Sequence, residues 1–178
     1  INSMPGLENV RFTEMTFHYN RSAKDSEGKT WVWGINTAGM LGIGSQENYI
    51  RVPVCRDEYF NTIGLKVAED LNSSNILGSE SHYMVVDVNG DIWTWGNNKY
   101  GQCGVGNTEN VYTPTCISKD KGFKYKKMIS SKGYTTVLIQ DTEGNIWTWG
   151  KNLNGMCGTG NTEYVLEPIC INKDKGFK

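Results

Sequence analysis

The segment at 31–44, WVWGINTAGMLGIG, recurs without a gap as WTWGNNKYGQCGVG at 93–106 and as WTWGKNLNGMCGTG at 147–160. One pattern, W-x-W-G-x-N-x-x-G-x-[LC]-G-x-G, describes all three, and the chain's 6 tryptophans all fall inside it. A motif repeated in this way folds as one supersecondary unit stacked on its own copies, since a single unit has too little apolar surface to bury alone.

The repeat extends beyond the tryptophans. Downstream of each copy stand Pro53, Pro114 and Pro168, each followed two residues later by Cys55, Cys116 or Cys170. Upstream lie the turns DSEGK, DVNGD and DTEGN. The array divides into repeats at 10–60, 61–122 and 123–178. The leading tryptophans at 31, 93 and 147 make the first interval about eight residues longer than the second, an insertion that belongs between 56 and 68.

Residue types give the local structure. In the third copy YTTVLIQ and NIWTWG are β-branched and aromatic runs joined by DTEG, the signature of an antiparallel hairpin. Glycines spaced G-x-x-G-x-G sit poorly in a helix, each costing about 1 kcal/mol relative to alanine, so tight irregular backbone is expected there. The Pro-x-Cys segment reads as a short strand with its proline at an edge, and KYKKMIS as a further strand. Four strands in a unit of about 54 residues is the size of one propeller blade. The expected fold is all-β, a partial β-propeller of about three four-stranded antiparallel blades. Trp31, Trp33, Gly34, Trp93, Trp95, Gly96, Trp147, Trp149 and Gly150 are its structural positions, with large aromatics filling the wedge between successive sheets.

At NGDIWTWGNNKYGQCGVG (89–106) and EGNIWTWGKNLNGMCGTG (143–160) the chain resembles the regulator of chromosome condensation repeat family, with His82 where that family often has histidine. The resemblance implies an arc of a seven-bladed ring. Copy one departs from the pattern: HYNRSAK (18–24) replaces the apolar TTVLI, so its strand is expected to be degenerate and to lie at an exposed edge. The final CINKDKGFK matches CISKDKGFK at 116–124. Open blade edges therefore lead to an expectation of a larger parent or of self-association.

Candidate chemistry is sparse. DVNGD spaces Asp87, Asn89 and Asp91 like the start of a calcium loop, but the sister turns have Glu27 and Lys29, or Glu143 and Asn145, where this one has Asn89 and Asp91, and no glutamate stands at the twelfth place. The glycine run has no following helix start to cradle a phosphate. Cys103 and Cys157 precede Cys116 and Cys170 by thirteen residues each, yet Leu41 holds the matching position in copy one, so buried free thiols are expected rather than disulfides. His18 and His82 have no evident nucleophile partner, and no cofactor or metal is expected. The net charge of -1 gives no reason to expect a nucleic-acid or membrane-surface partner. Asn20 and Asn72 open N-x-[ST] sequons, relevant only in a secreted eukaryotic protein. The odd cysteine count of 5 fits a cytoplasmic setting.

The functional expectation is a non-catalytic scaffold for protein–protein interaction. Its candidate contacts are Tyr59, Phe60, Ile63 and Leu65 in the insertion, which could equally pack under a blade, and Lys124, Lys126 and Lys127 in a basic run. The loops at 107–113 and 161–167 are further contacts. The resemblance implies one alternative, a guanine-nucleotide exchange factor acting on a Ran-like small GTPase. Another is a bacterial extracellular or inhibitory propeller.

Overall fold

A computed structural model of the chain describes residues 7, 10–17, 20–68, 77–78, 82–130 and 135–173. His18 and Asn72 lie outside them. The described residues form three antiparallel sheets of four strands each, taken in sequence order. Blade 1 comprises β1 (Phe12–Phe17), β2 (Asn20–Asp25), β3 (Thr30–Ile35) and β4 (Tyr49–Cys55). Blade 2 comprises β5 (Leu77–Gly78), β6 (His82–Val86), β7 (Ile92–Gly96) and β8 (Val111–Cys116), and blade 3 comprises β9 (Tyr125–Met128), β10 (Thr136–Asp141), β11 (Ile146–Gly150) and β12 (Val165–Cys170). This is the all-β propeller architecture that the repeat implies.

The central hairpin of every blade has one register. Trp33 pairs with Arg21, Trp95 with Tyr83 and Trp149 with Val137. The register against the last strand slips just before Gly34, Gly96 and Gly150, where each glycine adopts a φ between 97° and 104°. The slip is a β-bulge that needs glycine for its positive φ. At Gly150 a side chain would also run into the Thr135 carbonyl. The prolines sit on β4, β8 and β12, which are sheet edges, where a missing N–H costs no ladder bond.

One feature differs from the sequence reading and a second goes beyond it. The HYNRSAK strand is not at an edge: β2 lies inside its sheet, paired with both β1 and β3. Backbone pairing does not require apolar side chains: Ala23 and Asp25 are buried on one face, while Lys24 on the other is exposed. The insertion after Cys55 forms a short helix, α1 (Arg56–Thr62).

The largest core cluster fills the space between blades 2 and 3, joining Met84, Ile92 and Ile117 to Val137, Ile139 and Trp149. Phe123, in the linker between those blades, stacks on Trp147 with ring centroids 4.1 Å apart. A second cluster joins Phe60 and Leu65 from the insertion to Val85 and Trp95 of blade 2.

Candidate functional site

Each hairpin turn is built by one aspartate. Asp25, Asp87 and Asp141 each use Oδ1 to accept the backbone N–H groups two and four residues on, at 2.8–2.9 Å. The Oδ2 atoms accept the indole N–H of Trp31, Trp93 and Trp147, at 2.8, 3.1 and 2.8 Å. Both oxygens of Asp87 are thus engaged within its own hairpin, one by the turn and one by Trp93, which is what becomes of the apparent calcium loop. The Trp31 indole holds the Asp25 carboxyl below its usual range. Burial works to raise Asp141, but the Trp147 indole and the Asn145 side-chain and backbone N–H groups outweigh it and leave the carboxyl lowered.

A buried asparagine organises each glycine turn. Asn36, Asn98 and Asn152 accept the N–H of Leu41, Cys103 and Cys157 at 3.0, 2.9 and 2.7 Å. Their Nδ2 groups donate to carbonyls in the following loop: Ser45 and Glu47, Asn107, and Asn161. A third repeated device follows the Pro-x-Cys strand. Asp57, Ser118 and Asn172 accept the N–H of Thr30, Ile92 and Ile146. The sequence reading missed it because three residue types share the role; their constant place two residues after the cysteine was the available signal.

The second tryptophan of each pair reaches across a seam. Trp95 of blade 2 donates to the Met40 carbonyl of blade 1 at 3.2 Å, and Trp149 of blade 3 donates to the Gln102 carbonyl of blade 2 at 2.9 Å. In return Gly44 N–H donates to the Tyr112 carbonyl and Gly106 N–H to the Leu166 carbonyl. A Cβ on Gly42 would come within 2.8 Å of the Trp95 ring, and one on Gly104 within 3.0 Å of the Trp149 ring. The G-x-x-G-x-G run is therefore the socket for the next blade's tryptophan.

The candidate contact residues separate into groups. Phe60 and Leu65 are buried against Trp95, Phe60 at 5.8 Å between centroids. Tyr59 and Ile63 pack partly against the same cluster, and the Tyr59 hydroxyl donates to Thr113 Oγ1 of blade 2 at 3.3 Å. The insertion thus braces the seam between blades 1 and 2. Lys124 Nζ lies 2.7 Å from Asp91 Oδ1, which also accepts the Ser118 hydroxyl. Lys126 and Lys127 are exposed on the edge strand β9.

On the rim, loop 107–113 and Gln46 line an open cleft of about 360 Å³, with Asn107, Glu109, Asn110, Tyr112 and Thr113 in its wall. Across the next seam Tyr164, in loop 161–167, meets Tyr100 edge to face at 5.6 Å, and Lys151 Nζ sits 4.6 Å from the centre of the Tyr100 ring.

The cysteines are free thiols. Burial pushes the Cys103 thiol up to about 12, and burial also raises Cys55 and Cys157. A thiol so raised is protonated at neutral pH and is a poor nucleophile. Burial pushes the His82 imidazole down to about 4. Among the described residues, no group of three or more His, Cys, Asp or Glu side chains could hold a metal ion. Nor is any described helix long and apolar enough to cross a membrane.

Four-stranded sheets laid side by side, each pinned to the last by a buried indole, define an arc of a β-propeller. The model of the regulator of chromosome condensation (RCC1) repeat matches residues 89–138 and 143–178, and the chain belongs to that repeat family. The first copy lies outside the matched segments, yet repeats the Asp–Trp bond and the buried asparagine of the other two. The chain is 29% identical over 157 residues to the E3 ubiquitin-protein ligase HERC2 of Homo sapiens, covering 88% of this chain and 3% of that protein. It is 25% identical to the ultraviolet-B receptor UVR8 of Arabidopsis thaliana, covering 92% of this chain and 33% of the receptor. Among solved structures, yeast RCC1 (Prp20) bound to Kap60 superposes with a TM-score of 0.59 at 16% identity, over 90% of this chain and 37% of that one. Prp20p of Saccharomyces cerevisiae, in a structure reported with its binding to Gsp1p and histones, gives 0.58 at 17%, over 90% and 38%. The chain thus spans about a third or less of these relatives and less than two fifths of these structures.

Proposed function

We propose that the chain is a non-catalytic propeller scaffold that binds another protein through its rim loops. One observation carries this reading. The residues that repeat from copy to copy spend their hydrogen-bonding groups on the blade itself or its seams, whereas loops 107–113 and 161–167 are pinned from below by Asn98 and Asn152 and still present side chains outward. Loops held on a rigid scaffold and differing between copies are suited to specific recognition, because little ordering entropy is lost on binding. Tyr100, Tyr164 and Lys151 form one contact group and the cleft at Glu109 and Asn110 another. Lys126 and Lys127 extend the surface toward an acidic partner.

The test is crosslinking mass spectrometry on the chain in its native cell, followed by binding of the identified partner to purified variants. Tyr100→Ala with Tyr164→Ala should weaken binding at least tenfold while leaving the melting temperature within a few degrees. A partner that binds all rim and lysine variants as tightly as the native chain would overturn the reading.

The likeness to Prp20 supports a second reading, nucleotide exchange on a Ran-like GTPase. Release of a fluorescent guanine nucleotide from such a GTPase would be accelerated by the chain on this reading; an unchanged rate would dismiss it.

A further inference from the structure

The seam between blades 2 and 3 carries on its rim four side chains that the repeat does not require. Lys99 and Tyr100 come from blade 2, Lys151 and Tyr164 from blade 3. The other copies hold only uncharged, non-aromatic residues at these four places, Ala38 and Asn154 for Tyr100 and Ile35 and Asn97 for Lys151 among them. All four converge on one ring. Lys151 Nζ lies 4.6 Å and Lys99 Nζ 5.7 Å from the centre of Tyr100, and Tyr164 meets the same ring at an interplanar angle of 89°. Lys99 is exposed and Tyr164 is 39% exposed, so the group is open to solvent.

The charge gathered there is unbalanced. Neither ammonium forms an ion pair with a described carboxylate, whereas Lys29, Lys121 and Lys124 each do. A lysine held against a phenol ring at the surface gains only about 0.5–1 kcal/mol, and the contact leaves its N–H donors available to an oxygen. Two such amines around one ring are both within reach of a single oxyanion. A nucleic-acid strand fits less well: the flanking loops carry exposed Glu109 and Glu163, the net charge is -1, and a base could stack on Tyr100 at that face only by displacing Lys151.

We propose that this group binds one carboxylate or phosphate on an acidic segment of a protein partner, with Lys99 and Lys151 donating to its oxygens and the exposed ring of Tyr164 packing against the partner's chain. The inference rests on the rim-loop reading above and names the partner chemistry that reading leaves open.

The test is fluorescence anisotropy of the 178-residue chain with two labelled peptides, one rich in glutamate and one with phosphoserine replacing its central glutamate. At least one should bind saturably, more weakly as salt rises, and the tighter of the two identifies the oxyanion. Lys99→Gln with Lys151→Gln should weaken binding about tenfold or more, while Lys151→Arg retains it and the melting temperatures stay near that of the native chain. Three results would overturn the proposal: no saturable binding of either peptide, equal binding by the double glutamine variant, or tighter binding of an oligothymidylate. With the partner found by crosslinking, a complex lost in Tyr100→Ala with Tyr164→Ala yet kept in the double glutamine variant would overturn this inference and leave the rim-loop reading in place.

Discussion

Trp33, Trp95 and Trp149 occupy one place in the repeat, so substituting each in turn asks how much of a tryptophan's contribution comes from its neighbour. Trp149→Phe deletes the indole N–H that the Gln102 carbonyl accepts, at a site with no solvent exposure. A buried carbonyl left without its donor costs about 1–3 kcal/mol. The smaller ring also leaves a void of about 40 Å³, which at about 24 cal/mol per Å³ adds about 1 kcal/mol. The expected loss is therefore about 2–4 kcal/mol, with a similar loss for Trp95→Phe through the Met40 carbonyl. Trp33→Phe breaks no bond to a described residue and empties a half-exposed site, so its cost should stay below about 1 kcal/mol. The assay is urea unfolding followed by far-ultraviolet circular dichroism, at a concentration where the chain is monomeric. If Trp33→Phe costs as much as Trp149→Phe, the indole contributes within its own blade and the account of the seam is wrong.

Other substitutions probe the remaining features. Phe60→Ala, in the insertion helix under Trp95, should cost about 3–5 kcal/mol if that helix braces the seam, measured by the same unfolding curves. The folded pKa of His82, about 4, lies below its unfolded value. Unfolding therefore takes up a proton, and the stability present above pH 6.5 should decline as pH falls toward 4, by about 3 kcal/mol in all. His82→Gln should flatten that window when stability is titrated by urea unfolding. The lowered carboxyls of Asp25 and Asp141 act at lower pH, their contribution fading as the medium falls through their folded values. With a thiol reagent at neutral pH, half-buried Cys116 and Cys170 should be labelled while buried Cys103 and Cys157 resist, as peptide mapping would show.

What was legible in the sequence was what is local. YTTVLIQ–DTEG–NIWTWG became β10, its turn and β11, and the prolines fell on edge strands, because strand alternation and turn chemistry are decided within a few residues. The cross-seam bonds were not legible. Trp95 finds Met40 and Trp149 finds Gln102 across 55 and 47 residues, and a main-chain carbonyl has no sequence signature. The core role of Asn36, Asn98 and Asn152 was visible only as a fixed letter in the pattern. The insertion was located, but Phe60 and Leu65 read equally well as partner contacts or as core, since an apolar residue in an irregular segment satisfies both descriptions. The structure buries them. HYNRSAK misled because apolar content was read as a measure of strand position, whereas β2 is held by ladders on both sides.

A repeat protein separates fold from function more sharply than an irregular domain does. Once Asp141 has bound its turn and Trp147, once Asn152 has bound Cys157 and Asn161, and once Trp149 has bound Gln102, those residues have little left to offer a ligand. On the scaffold reading proposed above, recognition falls to positions where equivalent residues differ. At the seam-facing rim, blade 2 has Tyr100 where blade 1 has Ala38 and blade 3 has Asn154; loop 161–167 has Tyr164 where loop 107–113 has Asn110. These differences create the Tyr100–Tyr164–Lys151 group at one seam and the polar cleft at the other. Exchanging them between blades, Tyr100→Ala with Asn110→Tyr for example, should move partner binding without altering the blades beneath, because the pinned asparagines hold both loops in the same way.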